Sequence, residues 1–162
     1  MGKVDTSLMG PELVFFDIEA TDSADLFAKL EPIYLERGLV RESWIDAINK
    51  REDAYPTGLP FDAIGVAIPH VEPEHIVKPY IAIIKPKAPI DFAPMADMVD
   101  HPVHTELIIN LGLLAHAEDQ VAVLQALMNV FMSEEAVNDL LAQTTAEGMV
   151  ASMTKWCQEY AE

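Results

Sequence analysis

Cysteine is nearly absent. The chain of 162 residues has one, Cys157, so no internal disulfide framework can hold it together. Basic residues are scarce: 10 Lys and Arg stand against 27 Asp and Glu, a formal charge of −17. A surface this acidic repels nucleic acid and anionic membranes, so neither is an expected partner; a basic protein is favoured. Long apolar runs are also missing. The longest, Leu107 to Ala115, is broken by Asn110 and is too short to span a bilayer, so no membrane insertion is expected. No basic flank leads into an apolar stretch near the first residues. No signal peptide is therefore expected, and the expected location is cytoplasmic. The Gly-x-Ser-x-Gly, glycine-rich phosphate-loop and His-Glu-x-x-His patterns do not occur. Nucleophilic hydrolysis through a serine elbow, ATP binding and zincin chemistry lose their usual sequence support.

What is present describes an ordinary globular protein. Hydrophobic residues make up 51% and charged residues 23%, far from the disordered range. The length suits one domain over residues 1–162, large enough to fold without metal or disulfide, with residues 1–10 read as a loose tail. No internal repeat or low-complexity segment breaks the chain.

The β-branched and aromatic run from Leu13 to Ile18 reads as a strand. Leu26, Phe27, Leu30, Ile33 and Tyr34 recur at helical spacing up to Gly38, with Pro32 expected to kink the helix or divide it in two. Trp44, Ile45 and Ile48 predict a second helix ending near Arg51. Residues 54–63 hold Pro56, Gly58 and Pro60 and read as a loop. Strands are expected over 64–68 and 80–84, an irregular stretch through Pro86, Pro89 and Pro94, and a central strand over 107–114. That last segment is apolar on both faces, as a strand in the middle of a sheet should be. Val121, Leu124, Met128 and Phe131 mark a helix. Ser133 can cap the next helix, and Thr144 with Glu147 can form a capping box for the last. The order predicts an α/β fold with a mixed central sheet flanked by helices.

Five histidines are the candidate reactive groups: His70, His75, His101, His104 and His116. His101 and His104 are three apart, but Pro102 between them argues against a helix that presents both to a metal. His70 follows directly on the small-residue strand Gly65-Val66-Ala67 and Ile68-Pro69. Strand ends in α/β sheets commonly present reactive groups, and Pro69 should stop strand pairing and leave His70 at the sheet edge. Gly65 and Ala67 leave room for another backbone. From this pattern alone, a reactive and a plain surface histidine both fit. Cys157 falls on the apolar face of the last helix and reads as a small hydrophobe.

The wider segment carries more. Arg51-Glu52, then Pro56-Thr57-Gly58-Leu59, then Ala67-Ile68-Pro69-His70 resembles the signature of the enzyme IIA domains of the phosphoenolpyruvate-dependent sugar phosphotransferase system, in the mannitol/fructose group and nearest the galactitol type. The resemblance extends through the strand at 107–114 and the helix after it. It implies the IIA mannitol/fructose-type fold and a phosphohistidine at His70. The phosphoryl group would come from the histidine-containing phosphocarrier protein and pass to a IIB component, usually to a cysteine. The resemblance matches Arg51 to an active-site arginine. The second active-site histidine of many relatives falls on Gln120 here, as in galactitol-type members, which leaves the sugar and the role of the second group open. No cofactor or metal is implied.

The residue chemistry fits. A histidine with a reference pKa near ~6.5 is largely neutral near pH 7 and can attack phosphorus. Arg51 can fork two hydrogen bonds to phosphoryl oxygens, although a cation at a helix C-terminus is also ordinary. Gln120 can donate an amide hydrogen bond, or simply sit at a helix start. Thr57 and Gly58 suit a site wall or a plain turn, and the other histidines read as surface residues. Two other functions fit the pattern. One is a regulatory IIA-like module that binds a transporter or transcription factor. The other is a metal-dependent hydrolase using His70 and His75.

Overall fold

A computed structural model describes residues 4–160. Seven strands and five helices form it. They are β1 (Val14–Phe16), α1 (Ser23–Glu36), α2 (Trp44–Ala54), β2 (Gly58–Pro60), β3 (Gly65–Ala67), β4 (Tyr80–Lys85), β5 (Ile90–Phe92), β6 (Val103–Thr105), β7 (Leu107–Gly112), α3 (Ala117–Phe131), α4 (Glu134–Ala142) and α5 (Ala146–Tyr160). The main sheet runs β1-β4-β7-β3-β2. β1 pairs parallel to β4 and β3 parallel to β7, while β4–β7 and β2–β3 are antiparallel. It is the mixed sheet that the element order predicts.

Strand periodicity divides the core. Along β4 and β7, Ile81, Ile83, Leu107, Ile109 and Leu111 face one way and pack with α3, α4 and α5. Tyr80, Ala82, Ile84 and Ile108 face the other way and pack with α1 and α2. Successive side chains on a strand alternate faces, so a strand covered on both sides must be apolar throughout. β7 is buried at every position and lies in the middle of the sheet. Each large side chain so buried contributes roughly 1.5–3 kcal/mol.

Asn110 is the exception on β7. It has 0% exposure, yet both ends of its amide are hydrogen-bonded. Oδ1 accepts from the Tyr34 hydroxyl at 2.8 Å and the Tyr80 hydroxyl at 3.0 Å. Nδ2 donates to the Pro69 carbonyl at 3.0 Å. Burial holds both tyrosines well above the usual phenol pKa, so both stay protonated donors. One residue thus ties α1, β4 and β7 to the backbone just before His70.

Several expectations need correction. Over residues 4–10 the tail is not loose: Val4 and Met9 are each 5% exposed and join the core beneath α3 and α5. Residues 1–3 lie outside the described part. Pro32 does not divide α1, which runs unbroken through it. The loss of one N–H is outweighed by Leu26, Phe27, Leu30 and Tyr34, buried on both sides of it. The stretch after Pro86 contains the β5–β6 hairpin-like pair. The predicted loop contains β2, an edge strand that ends on Pro60, where a missing N–H costs no ladder bond. α5 is capped by Thr145, not Thr144: its Oγ1 accepts from the Gly148 N–H at 3.0 Å. Ser133 caps α4 as expected. The room expected for another backbone at Gly65 is used as expected: the β6 backbone lies against it, and a Cβ there would clash with the His104 carbonyl oxygen.

Asn110→Leu keeps the branched shape and strands two tyrosine hydroxyls. At ~1–3 kcal/mol for each unsatisfied buried donor, the variant should lose about 2–6 kcal/mol in urea denaturation. Tyr34→Phe placed on top should recover part of that loss. A variant within 0.5 kcal/mol of wild type would show that the amide holds nothing together.

Candidate functional site

β3 ends at Ala67, but its course does not. The Pro69 carbonyl accepts from the Leu111 N–H at 3.1 Å, and His70 bridges to Leu111 of β7. The expectation that Pro69 stops pairing and leaves His70 at the sheet edge therefore fails. Proline lacks only the donor; its carbonyl remains available to the neighbouring strand. His70 sits at the C-terminal end of a strand flanked on both sides, half-buried, with its backbone fixed from β7.

The ring is oriented by the chain itself. His70 Nδ1 lies 2.9 Å from the Ile68 carbonyl oxygen. A carbonyl can only accept, so Nδ1 carries the proton and Nε2 keeps its lone pair. Burial lowers the His70 pKa; the Ile68 hydrogen bond opposes this, the Arg51 charge adds to it and Glu72 opposes it. The neutral ring, with a free Nε2, is the stable form at pH 7.

α2 supplies the cation. Trp44, Ile48 and Glu52 form its buried stripe, which leaves Arg51 one position off that stripe in the last turn. The helix stops where the Tyr55 N–H caps the Arg51 carbonyl and Pro56 follows. The Arg51 guanidinium lies over the Tyr55 ring, 5.6 Å from its centroid, and Nη1 donates to Glu72 Oε1 at 2.6 Å. With 30% and 49% of the two side chains exposed, that ion pair contributes at most about 1 kcal/mol. Arg51 Nε is buried without a hydrogen-bond partner. Glu72 ionises readily. Burial alone would raise its pKa, but its own backbone N–H, Arg51 and His75 together bring it below the ordinary value.

A cavity of about 460 Å³ brings together the three residues predicted for the site. His70, Arg51 and Gln120 line it, with Thr57, Tyr55, Glu72, the turn Met95–Asp97, Val121 and Leu124. Gln120 lies in the first turn of α3, only 9% exposed. One N–H of its amide donates to the Ala115 carbonyl at 3.1 Å, which leaves a second N–H and the oxygen available. Val121, one of the four residues that predicted α3, is 53% exposed at the cavity. The helix is buried through Val123, Ala126, Leu127, Val130 and Phe131, with Leu124 and Met128 packed beside them. Ala96 and Asp97 close one side with φ of 51° and 54°, a left-handed pair that side chains with a Cβ seldom adopt.

The other histidines lie elsewhere. His75 is half-buried rather than a plain surface residue, with Nδ1 2.8 Å from Ser43 Oγ. His104 pairs with Asp91 on the exposed side of the β5–β6 pair, and His101 and His116 are exposed. Among the described residues no three His, Cys, Asp or Glu side chains are grouped as metal ligands. Cys157 is buried, and burial pushes its thiol up to about 12.

Two carboxylates escaped the reading of individual residues. Glu52 falls at the i+8 position of the stripe begun by Trp44 and Ile48, and a glutamate on an apolar stripe is a legible signal. Its carboxylate accepts from the Thr57 N–H at 2.7 Å and the Thr57 hydroxyl at 2.9 Å. It thereby fixes the turn between Arg51 and β2. Glu72 stands two residues after His70 in extended backbone, where i and i+2 share a side.

Comparison with known proteins agrees with the resemblance. The family model "Phosphoenolpyruvate-dependent sugar phosphotransferase system, EIIA 2" matches residues 7–155. The galactitol-specific EIIA component of the Escherichia coli phosphotransferase system is 26% identical over 124 residues, 76% of this chain and 81% of that protein. Among solved structures, the nitrogen regulatory protein IIA-Ntr from Neisseria meningitidis superposes with a TM-score of 0.75 at 20% identity, covering 91% of this chain and 97% of that one. Enzyme IIA-mannitol, in its complex with phosphorylated enzyme IIB-mannitol from Escherichia coli, gives 0.70 at 17% identity, with coverage of 90% and 96%. The fold is of the mannitol IIA type. The chain belongs to the EIIA 2 family of the phosphoenolpyruvate-dependent sugar phosphotransferase system.

Glu52 gives this site a pH signature. Burial raises its carboxyl from 4.5 to about 7; the two Thr57 hydrogen bonds oppose this, and Asp53 adds to it more than Arg51 relieves. The folded protein therefore holds a proton that the unfolded chain releases. The stability this gives is present below pH ~4.5 and is lost as pH rises through ~7, on the order of 3 kcal/mol in all. Glu52→Gln cannot titrate and still offers Thr57 an acceptor. Urea denaturation from pH 4.5 to 8 should show wild type losing stability relative to Glu52→Gln. Parallel profiles would mean that Glu52 ionises as an ordinary carboxylate.

Proposed function

We propose that this family member is a phosphocarrier whose acceptor is Nε2 of His70. It takes a phosphoryl group from the histidine-containing phosphocarrier protein and hands it to a IIB component, to a cysteine there, in the uptake of a sugar or sugar alcohol. The observation that carries this reading is the neutral, oriented ring. Nδ1–H is donated to the Ile68 carbonyl, which leaves the Nε2 lone pair free, and His70 lines a cavity that Arg51 lines too.

The transfer needs little from the protein beyond placement and charge. The Nε2–P bond forms as the donor's N–P bond breaks, and the departing donor ring keeps the electron pair. The proton stays on His70 Nδ1, donated to the Ile68 carbonyl, throughout. Its bond keeps positive charge in the ring beside the incoming dianion. Charge spreads over the phosphoryl oxygens in flight, so positioned donors are what lower the barrier. Arg51 is suited to supply them by its planar fork. Gln120 can add its second N–H. It does not titrate near pH 7, so its part is hydrogen bonding and not proton transfer.

Docking is supported by the rim. Tyr55 and Val121, exposed by 68% and 53%, flank the cavity and offer apolar area to a partner. The acidic surface would speed encounter with a basic carrier. Sequence similarity to a component named for galactitol favours sugar uptake over a regulatory module, and galactitol is the first substrate to test.

The test is labelling from phosphoenolpyruvate through the general phosphotransferase proteins. Wild type should take up one acid-labile phosphoryl group. His70→Ala should take up none and stay folded, because a half-buried ring at a strand end contributes little packing. Equal labelling of the two proteins would sink the assignment.

A further inference from the structure

We infer that Glu72 is a place-holder for the phosphoryl group. Its carboxylate occupies Arg51 while His70 is bare, and the phosphoryl group displaces it. The inference rests on the reading of His70 as the phosphoryl acceptor.

The geometry is that of a rehearsed contact. Arg51 and Glu72 line the same cavity as His70, and their ion pair is 2.6 Å long. A carboxylate and a phosphoryl group offer a guanidinium the same thing, two anionic oxygens for a planar fork. Glu72 engages only Nη1, and Nε remains buried with no partner. The present acceptor therefore leaves the fork unfilled. A group with three oxygens on His70 can satisfy more of it than Glu72 does.

Displacement is easy for Glu72. Half of its side chain is exposed, so the carboxylate can turn into water without becoming a buried unpaired charge. After the exchange it remains two residues from a dianion. Like charges at that range repel, and the phosphorylated state is raised in energy relative to a site without the glutamate. Asp97 adds a second, exposed carboxylate on the cavity wall, while His75 and Arg51 are the cationic or neutral groups facing Glu72. For a carrier this is useful. A phosphohistidine held too firmly would keep its group, whereas a pre-occupied arginine and a nearby carboxylate keep uptake and release balanced.

The exchange moves no proton. The Nε2–P bond forms and the donor N–P bond breaks, as above. Arg51 changes one anionic acceptor for another, and Glu72 takes up water.

Glu72→Gln is isosteric and half-exposed, so folding is not at risk. The measurement is the exchange equilibrium with the phosphorylated histidine phosphocarrier protein, using radiolabelled phosphate at low and high salt, together with the Arg51 Nε–H resonance. Glu72→Gln should shift the equilibrium threefold or more toward the phosphorylated chain at low salt, and the shift should shrink as salt screens it. In wild type the Arg51 resonance should move on phosphorylation, as the acceptor changes. If wild type is labelled and Glu72→Gln has an unchanged equilibrium constant, the inference fails alone. A shift toward the unphosphorylated chain makes Glu72 a positioning residue for Arg51 and also overturns it. A wild type that takes up no label fails the functional reading, and the inference with it.

Discussion

The structure depends on one buried amide. Asn110 sits in the middle strand of the sheet, between two helical layers, where an unsatisfied polar group would cost ~1–3 kcal/mol. It is satisfied by two tyrosine hydroxyls and by the carbonyl of Pro69. That carbonyl belongs to a residue with no N–H, which can join a sheet only as an acceptor. Two donors from β7, the Leu111 N–H and the Asn110 side chain, hold it in place. The backbone on which His70 is mounted is therefore fixed from the core. The ring needs only the Ile68 carbonyl, two residues back, to set its orientation.

From that fixed point the site is built with modest forces. α2 is buried through Trp44, Ile48 and Glu52, which sets Arg51 at the cavity mouth beside the tethered Thr57 turn. α3 brings Gln120 in its first turn and turns Val121 outward. The strong terms, apolar burial and the satisfied amide, hold the scaffold. The groups that handle charge are half-exposed and weakly paired. Such a division suits a protein that must accept a phosphoryl group and give it up again, because groups locked by strong contacts would not exchange partners.

Much of this was legible in the residues. The runs at 64–68, 80–84 and 107–114 announced strands, and the resemblance carried by Arg51, Pro56-Thr57-Gly58 and Pro69-His70 announced the family. His70, Arg51 and Gln120 do share one cavity. The sequence was less clear wherever tertiary contacts override local rules. Pro32 lies inside an unbroken helix because its neighbours are buried on both sides. Val4 and Met9 find a core that no local pattern could announce. Asn110 looked like a flaw in an apolar run, since its three partners come from residues 34, 69 and 80. Glu72 could be seen in the chain, but its meaning came only with the distance to Arg51.

The central claim is that the chain presets His70 with the proton on Nδ1 and the nucleophilic lone pair on Nε2. Long-range proton–nitrogen NMR of the His70 ring, before and after phosphorylation, tests it most directly. The account predicts a neutral Nδ1–H tautomer at pH 7 and the phosphoryl group on Nε2. A neutral Nε2–H tautomer, or a phosphoryl group on Nδ1, would contradict it.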